Sequence, residues 1–593
     1  MTNFELIMMK IHPYFLQFFL LLFLLTEGIC MLFLLRKKRD IYHHLLVSKI
    51  SFVVLLCAIL GCVYVYLLSD VRYIHVFQNS HMDQRWYMKI ASIWSHHETS
   101  LFFWFCTFYF SNYYSKSDSS FLKHVYNFLF MVFIVFESNP FAISQSVLIQ
   151  ENAIGLNPLL YDLHMVWHPP LLYLGQVLTF PLFLKSLDKE KIDKNTVFLP
   201  IFVLTIAIAT GSLWAFTQLG WGGFWFWDPV ETLSIFPWFL LLIIVHLPSQ
   251  YLQNRAYIYQ IPFLSVIFSA WLIRSGIISS VHSFAESNTT FWFMAALFLG
   301  TLCIYAVTCL RVRKLHKIFF NIPLKYQLAL FIFISTLAIL LFGILHGLWT
   351  NDGLNEKFYH QLLTPLWILG IVFLLYISFC TFYKKQNKTK KLIYLSLLLA
   401  GTTALYVAHF KGLDLVYGVL GATSACAGLL QLLMLKNKTF SRIAHAGISA
   451  ILVGLCLHSN SMTEKSTNLV FNQKKQVNQY EFLWNKNTFE TSKFVNKHQL
   501  SILIKDRNKN VSLYPYKLYF HTAKQQRCQA DYKRLGMDIL MIADVEVNKG
   551  KDQELVIKFY HKSGIIWIVI GVIAIILSIM LNFLPRCLLK YKK

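Results

Sequence analysis

Apolar runs long enough to cross a bilayer recur along nearly the whole 593-residue chain, roughly 15 of them, and no soluble core accommodates so many. Hydrophobic residues make up 56%, with 52 Phe alone, so the chain reads as an all-α polytopic membrane protein. The first run, near residues 14–35, ends in Arg36-Lys37-Lys38-Arg39 with no small-residue cleavage site, which predicts a retained helix and no signal peptide.

The net charge of +25 suggests nucleic acid until its positions are read. Basic clusters fall at Arg36–Arg39, Lys185–Lys194, Arg311–Lys317, Lys384–Lys391, Lys436–Arg442 and Arg586–Lys593. Each follows an odd-numbered span, so the positive-inside rule puts them all on the cytoplasmic side. The N-terminus is then expected outside and the C-terminus inside. Nucleic-acid binding drops out; these charges set topology, with room for anionic-lipid contact.

One segment breaks the apolar pattern. Residues 460–562 are polar, with strand-like alternation at Leu500–Ile504 and Met541–Val547. The expected organisation is a helical bundle over 1–459, a small β-rich outer domain over 460–562, and a last helix with a basic tail over 563–593. Of the 11 Cys only Cys528 clearly falls in the outer domain, and no Cys-x-x-Cys occurs. A thioredoxin-like centre or a haem attached to this chain through Cys-x-x-Cys-His is therefore unsupported.

The densest chemical signal is the segment 214–232. It gathers Trp214, Trp221, Trp225 and Trp227 with Phe216, Phe224 and Phe226, breaks them with Gly220, Gly222 and Gly223, and closes on Asp228-Pro229. Indole brings a polar N–H that plain membrane filling does not need. An interfacial aromatic belt is the simpler reading, but belts are scattered and this cluster is contiguous. It reads as a shelf at the membrane surface for a planar apolar ligand. Asp228 reads as the cap of the turn and Glu231 as the cap of the following helix.

Four of the 21 His stand out by position. His168 and His282 lie at the outer ends of spans flanking the tryptophan segment, where two imidazoles could supply both axial ligands to a haem iron; bonds to lipid headgroups are the plain alternative. His246 and His445 lie inside apolar helices, His246 about 10 residues or roughly 15 Å inward and His445 about one turn from the cytoplasmic side. An intramembrane ionisable group calls for a partner, and a second haem held by this pair is one; a hydrogen bond to Ser or Thr is the other. Trp94, His97 and Glu98 open a third span on the outer side and could contact a haem propionate or a partner, or form a helix cap.

These residues together resemble the CcmF family, the membrane component of a cytochrome c haem lyase. The resemblance runs over nearly the whole chain, through Trp94–Trp104, Ser138–Phe141, Leu156–Leu160, His168–Gly175, Trp214–Trp238, Arg274–Ala285 and the helix around His445. It implies an external haem site with His168 and His282 as ligands, a shelf of Trp214, Trp221, Phe224, Trp225, Trp227 and Asp228, and a buried haem b held by His246 and His445. Trp94, His97, Glu98 and Arg274 are further candidates on the outer face. There are departures: the family carries Trp where Phe224 stands and Asn where Thr232 stands. Its Trp-Gly-Gly-His-Glu-Gly-Ser pattern is Trp94-Ser-His-His-Glu-Thr-Ser100 here, and its outer domain is similar only loosely.

The resemblance further implies that haem arrives transiently from a CcmE-like chaperone and is joined to the thiols of an apocytochrome c. Thiol-reducing and apocytochrome-binding subunits (CcmH- and CcmI-like) are the implied partners, with a quinol or other electron donor for the buried haem. The implied location is the bacterial inner membrane, or the mitochondrial inner membrane. A membrane haem exporter or loader without ligation activity is the alternative; a secondary transporter would need an internal repeat and broken midplane helices that the sequence lacks.

Overall fold

The computed structural model describes residues 3–35, 41–113, 120–143, 153–188, 192–218, 225–252, 255–278, 280, 288–311, 322–350, 356–383, 415–433, 439–461 and, with short gaps, 463–590. Among these, 11 helices are long and apolar enough to cross a membrane. Two shorter apolar helices, Phe121–Phe136 and Tyr417–Leu433, fall below that length. A further apolar run of the sequence, within 384–414, lies outside the described residues. The chain is a multi-pass membrane protein.

The first helices, Asn3–Leu35 and Ile41–Leu68, pack with His97–Tyr113 and Ser120–Phe136 around fully buried phenylalanines. These rings meet at an angle as their quadrupoles favour, Phe23 against Phe105 at 5.7 Å and 84°, for example. A second core joins Phe198–Gln218 and Pro229–His246 to the last helix, Ile565–Lys590, through Leu204, Leu241, Ile244 and Ile579.

That last helix also lies along Thr439–Ser461, and glycine explains how closely. A Cβ on Gly447 would fall 2.7 Å from the Gly571 carbonyl oxygen, and one on Gly454 would fall 2.6 Å from that of Gly564. Glycine at seven-residue spacing on both helices lets the backbones touch, the usual solution where lipid supplies no hydrophobic drive. The helix that carries His445 is thereby clamped by the segment that follows the strands.

Among the described residues, ten strands run from Thr463 to Lys562 and form two antiparallel sheets. One has the order β1(Thr463–Val470)-β10(Glu554–Lys562)-β9(Asp538–Val547)-β8(Asp531–Leu535). The other has the order β2(Lys474–Val477)-β3(Tyr480–Glu490)-β4(Val495–Asp506)-β6(Tyr516–Phe520)-β7(Gln525–Gln529), with β5(Lys509–Leu513) paired to β4. The alternation seen in the sequence has a direct consequence: Leu500, Ile502 and Ile504 point inward and meet Leu540, Ile542 and Ile557 of the facing sheet.

The strand domain rests on the helices at two places. Phe494 stacks on His81 at 4.8 Å, and Gly155, at φ +87°, leaves room for that ring. Elsewhere Phe216, at the end of its helix, enters a cluster with Ile539, Met541, Tyr560 and Ile565. The first also includes Tyr161, which follows Leu160, and the second lies two residues after Trp214.

Candidate functional site: an aromatic cavity and a buried histidine pair

A cavity of about 200 Å³ opens at the strand-domain end of the bundle, and Trp94, His97, His168, Trp214 and Arg274 all line it. Its geometry starts with two prolines. Pro169 and Pro170 sit inside the helix His164–Val177. Pro169 has no N–H to give the carbonyl four residues back, that of Met165. The Trp94 indole Nε1 donates to that carbonyl instead, at 2.6 Å, so the break in one helix anchors the cavity wall.

His168 lies one position before these prolines. Its Nδ1 bonds the Ala207 carbonyl at 2.8 Å, across to the helix Phe198–Gln218. The imidazole fits only because residue 211 is glycine: a Cβ there would fall 2.4 Å from His168 Cε1. His97 is held by Thr290 Oγ1 at 2.9 Å. Arg274 Nη1 donates to Ser100 Oγ at 3.1 Å, and no carboxylate lies within ion-pair distance of it among the described residues.

Trp214 lines the cavity, but Trp227 stacks on Tyr359 at 5.0 Å and 14°. Trp227 has φ +60°, an unusual conformation for a bulky side chain and a local strain that surrounding structure must hold. Trp225 stands edge-on to Trp227 at 6.2 Å, and its Nε1 is buried without a hydrogen-bond partner. Asp228 caps the helix Pro229–His246 through the Val230 N–H and accepts from Ser280 Oγ at 2.7 Å. Glu231 reaches back to the Phe226 N–H rather than forward along its helix. Trp221, Phe224 and His282 lie outside the described residues; Ser280 brings the chain before His282 to Asp228.

His246 and His445 meet at the other end of the bundle, with ring centroids 6.1 Å apart and planes at 86°. His246 is the last residue of its helix, about 26 Å from the first residue by helical rise. Each Nδ1 bonds the carbonyl four residues back: Leu242 at 2.8 Å for His246, Ser441 at 2.6 Å for His445. Such a bond makes Nδ1 the protonated nitrogen and leaves the lone pair on Nε2.

Two groups escaped the sequence reading. Glu27 is fully buried in the first helix, accepting from His124 Nδ1 at 2.7 Å and Asn127 Nδ2 at 3.0 Å, with His44 Nε2 3.1 Å from His124 Nε2. An acid inside an apolar run was the available signal. The second is His75, which reaches Glu98 and His96; nothing in its local sequence marks it, because the contact depends on tertiary folding. Burial, with the neighbouring His96 adding to it, pushes the His75 imidazole down to about 4.

Comparison with known proteins places these features. Residues 94–278 match the family model described as "Cytochrome C assembly protein". The chain is 33% identical over 279 residues to the cytochrome c-type biogenesis protein ccl1 of Rhodobacter capsulatus, an alignment covering 41% of this chain and 42% of that one. It is 24% identical to the cytochrome c-type biogenesis protein CcmF of Escherichia coli over 87% of each. Its fold is that of a solved structure, "Cytochrome c Heme Lyase CcmF", with TM-score 0.73 over 96% of both chains at 16% identity.

Proposed function

We propose that this chain, a cytochrome c assembly protein of the CcmF type, is the membrane subunit of a cytochrome c haem lyase. It receives haem from a CcmE-like chaperone and joins the vinyl groups to the Cys-x-x-Cys-His thiols of an apocytochrome c. One observation carries this reading: His168, Trp94, His97, Trp214 and Arg274 converge on one cavity within the segment that matches the assembly family.

Haem is the substrate at this cavity. Its propionates are anions, and Arg274 offers a guanidinium in a site dried by Trp94 and Trp214, where a charge-assisted bond is strong. Ligand sites usually measure about 300–1,000 Å³, so this cavity takes one edge of a porphyrin. The propionate edge enters and the vinyl edge faces outward. His168 and His282 serve as axial ligands, and Trp221, Phe224, Trp225, Trp227 and Asp228 form the rest of the holder. The Trp225 Nε1 is a donor available to a polar group of the substrate.

Each thioether forms as a cysteine thiolate sulfur bonds one vinyl carbon and a proton reaches the other, with no net oxidation. The thiols must arrive reduced, and this chain has no Cys-x-x-Cys, so CcmH- and CcmI-like partners supply that step. The chain's own contribution is positioning.

The pair His246 and His445 fits a resident haem b. Both Nδ1 atoms are engaged with their own helices, so the two Nε2 lone pairs, on rings 6.1 Å apart, would be the atoms to hold it. When bound, such a haem supplies one-electron chemistry that keeps substrate iron ferrous, fed by a quinol or another donor. The membrane is the bacterial inner one, with the N-terminus and the domain 460–562 periplasmic and the tail of 563–593 cytoplasmic; the helical unit is 1–459.

The test is covalent product. Cells carrying the rest of the pathway should yield apocytochrome that keeps its haem after denaturation with the wild-type chain, and almost none with His168→Ala. Non-covalent haem delivery without a thioether would instead favour an exporter or loader.

A further inference from the structure

His96, on the wall of the cavity, belongs to a set of three ligand-type atoms. His75 Nδ1, His96 Nδ1 and Glu98 Oε2 lie within 4.8 Å of one another. The three atoms are shielded from solvent although the His96 and Glu98 side chains are only half-buried. Glu98 Oε2 is 2.5 Å from His96 Nδ1 and 3.8 Å from His75 Nδ1, so one carboxylate oxygen serves two imidazoles. A cation placed between the three would satisfy them together.

The surroundings prepare each group to be a ligand. His75 sits on the short helix Ile74–Asn79, which is tied to the segment near residue 142 by the Ile74 N–H to the Ala142 carbonyl at 3.0 Å. Its Nε2 bonds the Asn139 carbonyl at 3.1 Å, so Nε2 carries the proton and Nδ1 the lone pair. Metal-bound histidines are oriented by such a carbonyl. His96 and Glu98 flank the first residue of the helix His97–Tyr113, and their side chains keep 24% and 26% exposure, enough for an ion to enter. His96 also lines the cavity.

We propose that His75, His96 and Glu98 bind one divalent transition-metal ion of the zinc class. Two His and a Glu form a known three-ligand set for zinc, with the fourth position open to water. Donors about 2 Å from a tetrahedral ion stand roughly 3.3 Å apart, so the trio closes on it by small side-chain rotations. The ion links the helix Ile74–Asn79 to the start of the helix that carries His97, and so stiffens the wall next to Trp94. This site does not depend on the haem reading.

The experiment uses tag-free, chelator-stripped full-length protein in detergent. Cobalt(II) is added as the optical probe, and zinc(II) is titrated in competition with a chromophoric chelator. The expected result is one ion per chain, with visible cobalt bands of nitrogen and oxygen ligation and no near-ultraviolet thiolate band. His96→Gly and His75→Ala should each weaken binding by roughly 100-fold or more, with an unchanged elution profile showing that the chain is folded. Cys30, His44 and His124 form another possible ligand group in the bundle. Binding with a thiolate band that survives His96→Gly and vanishes in Cys30→Ser would overturn the proposal. Absence of binding by the wild type would overturn it as well.

Discussion

His246 and His445 stand on helices, each imidazole tied to a carbonyl of its own helix one turn back. His168 precedes a proline pair and is tied to a carbonyl of a different helix. The first arrangement fixes ligands with local geometry alone and suits a group that stays. The second depends on Gly211 and on the packing of two helices, and it faces an open cavity. Rigid local ties suit a permanent cofactor; a site assembled from several elements suits a molecule that must arrive, react and leave.

The comparison breaks most decisively at the buried pair. His246→Ala or His445→Ala should remove the reduced b-type spectrum of the purified protein completely, whereas His168→Ala should leave it intact. A wild-type chain with no tightly held haem would end the idea of a permanent site. If His168 is the proposed axial ligand, His168→Ala should instead cut holocytochrome yield by about 100-fold. If His168→Ala also strips the buried haem, the two sites are not separate.

The third effect is mechanical. Gly454→Leu forces a side chain against the Gly564 carbonyl and should cost about 1–3 kcal/mol. Because the same helix carries His445, buried haem content and thermal stability should fall together. Retained haem in a destabilised protein would show that His445 is placed by something other than this helix pair.

How much of this was legible beforehand follows from which forces are local. A histidine inside an apolar run must have a partner, and that rule picked out His246 and His445. The hydropathy pattern indicated the helices, and alternation at Leu500–Ile504 indicated strands. Trp227 shows the limit. Its left-handed backbone and its stacking on Tyr359, more than a hundred residues away, depend on a helix packing that no local pattern encodes. His75 was invisible for the same reason, while the Trp94 contact with Met165 was half-legible: Pro169 announces an orphaned carbonyl but not which donor fills it.

A smaller effect sharpens the outer half of the comparison. Gly211→Ala should lower holocytochrome yield about tenfold, because the new methyl displaces the His168 ring, and the overpacking cost of about 1–3 kcal/mol should outweigh the propensity gain of up to about 1 kcal/mol. Pairing it with His168→Ala, which removes the clash, separates positioning from folding: thermal stability should recover in the double variant while holocytochrome yield stays low. Recovery of both would mean that His168 is merely structural.

The smallest expected effect concerns how the strand domain sits on the helices beside the cavity. Lys562 is fully buried, its Nζ 4.1 Å from the Phe216 ring centre and 3.3 Å from Met541 Sδ. Burial pushes its ammonium down to about 7 from an ordinary 10.5, with Glu464 opposing weakly. When the domain lifts, the amine is solvated and regains its ordinary value. Between pH 7 and 10.5 the lifted state therefore holds more protons than the docked one, and raising the pH favours docking. Below pH 7 both states carry the charge, and the docked form bears the full desolvation cost, softened by the cation–π contact with Phe216. Hydrogen exchange at the Phe216 end of its helix should thus slow by about fivefold between pH 7 and 8, after correction for intrinsic rates. Lys562→Met should abolish that slope while preserving the apolar contact with Phe216, Met541 and Tyr560. A slope that persists in the Met variant would assign the pH dependence to another group and leave the docking of the domain independent of this lysine.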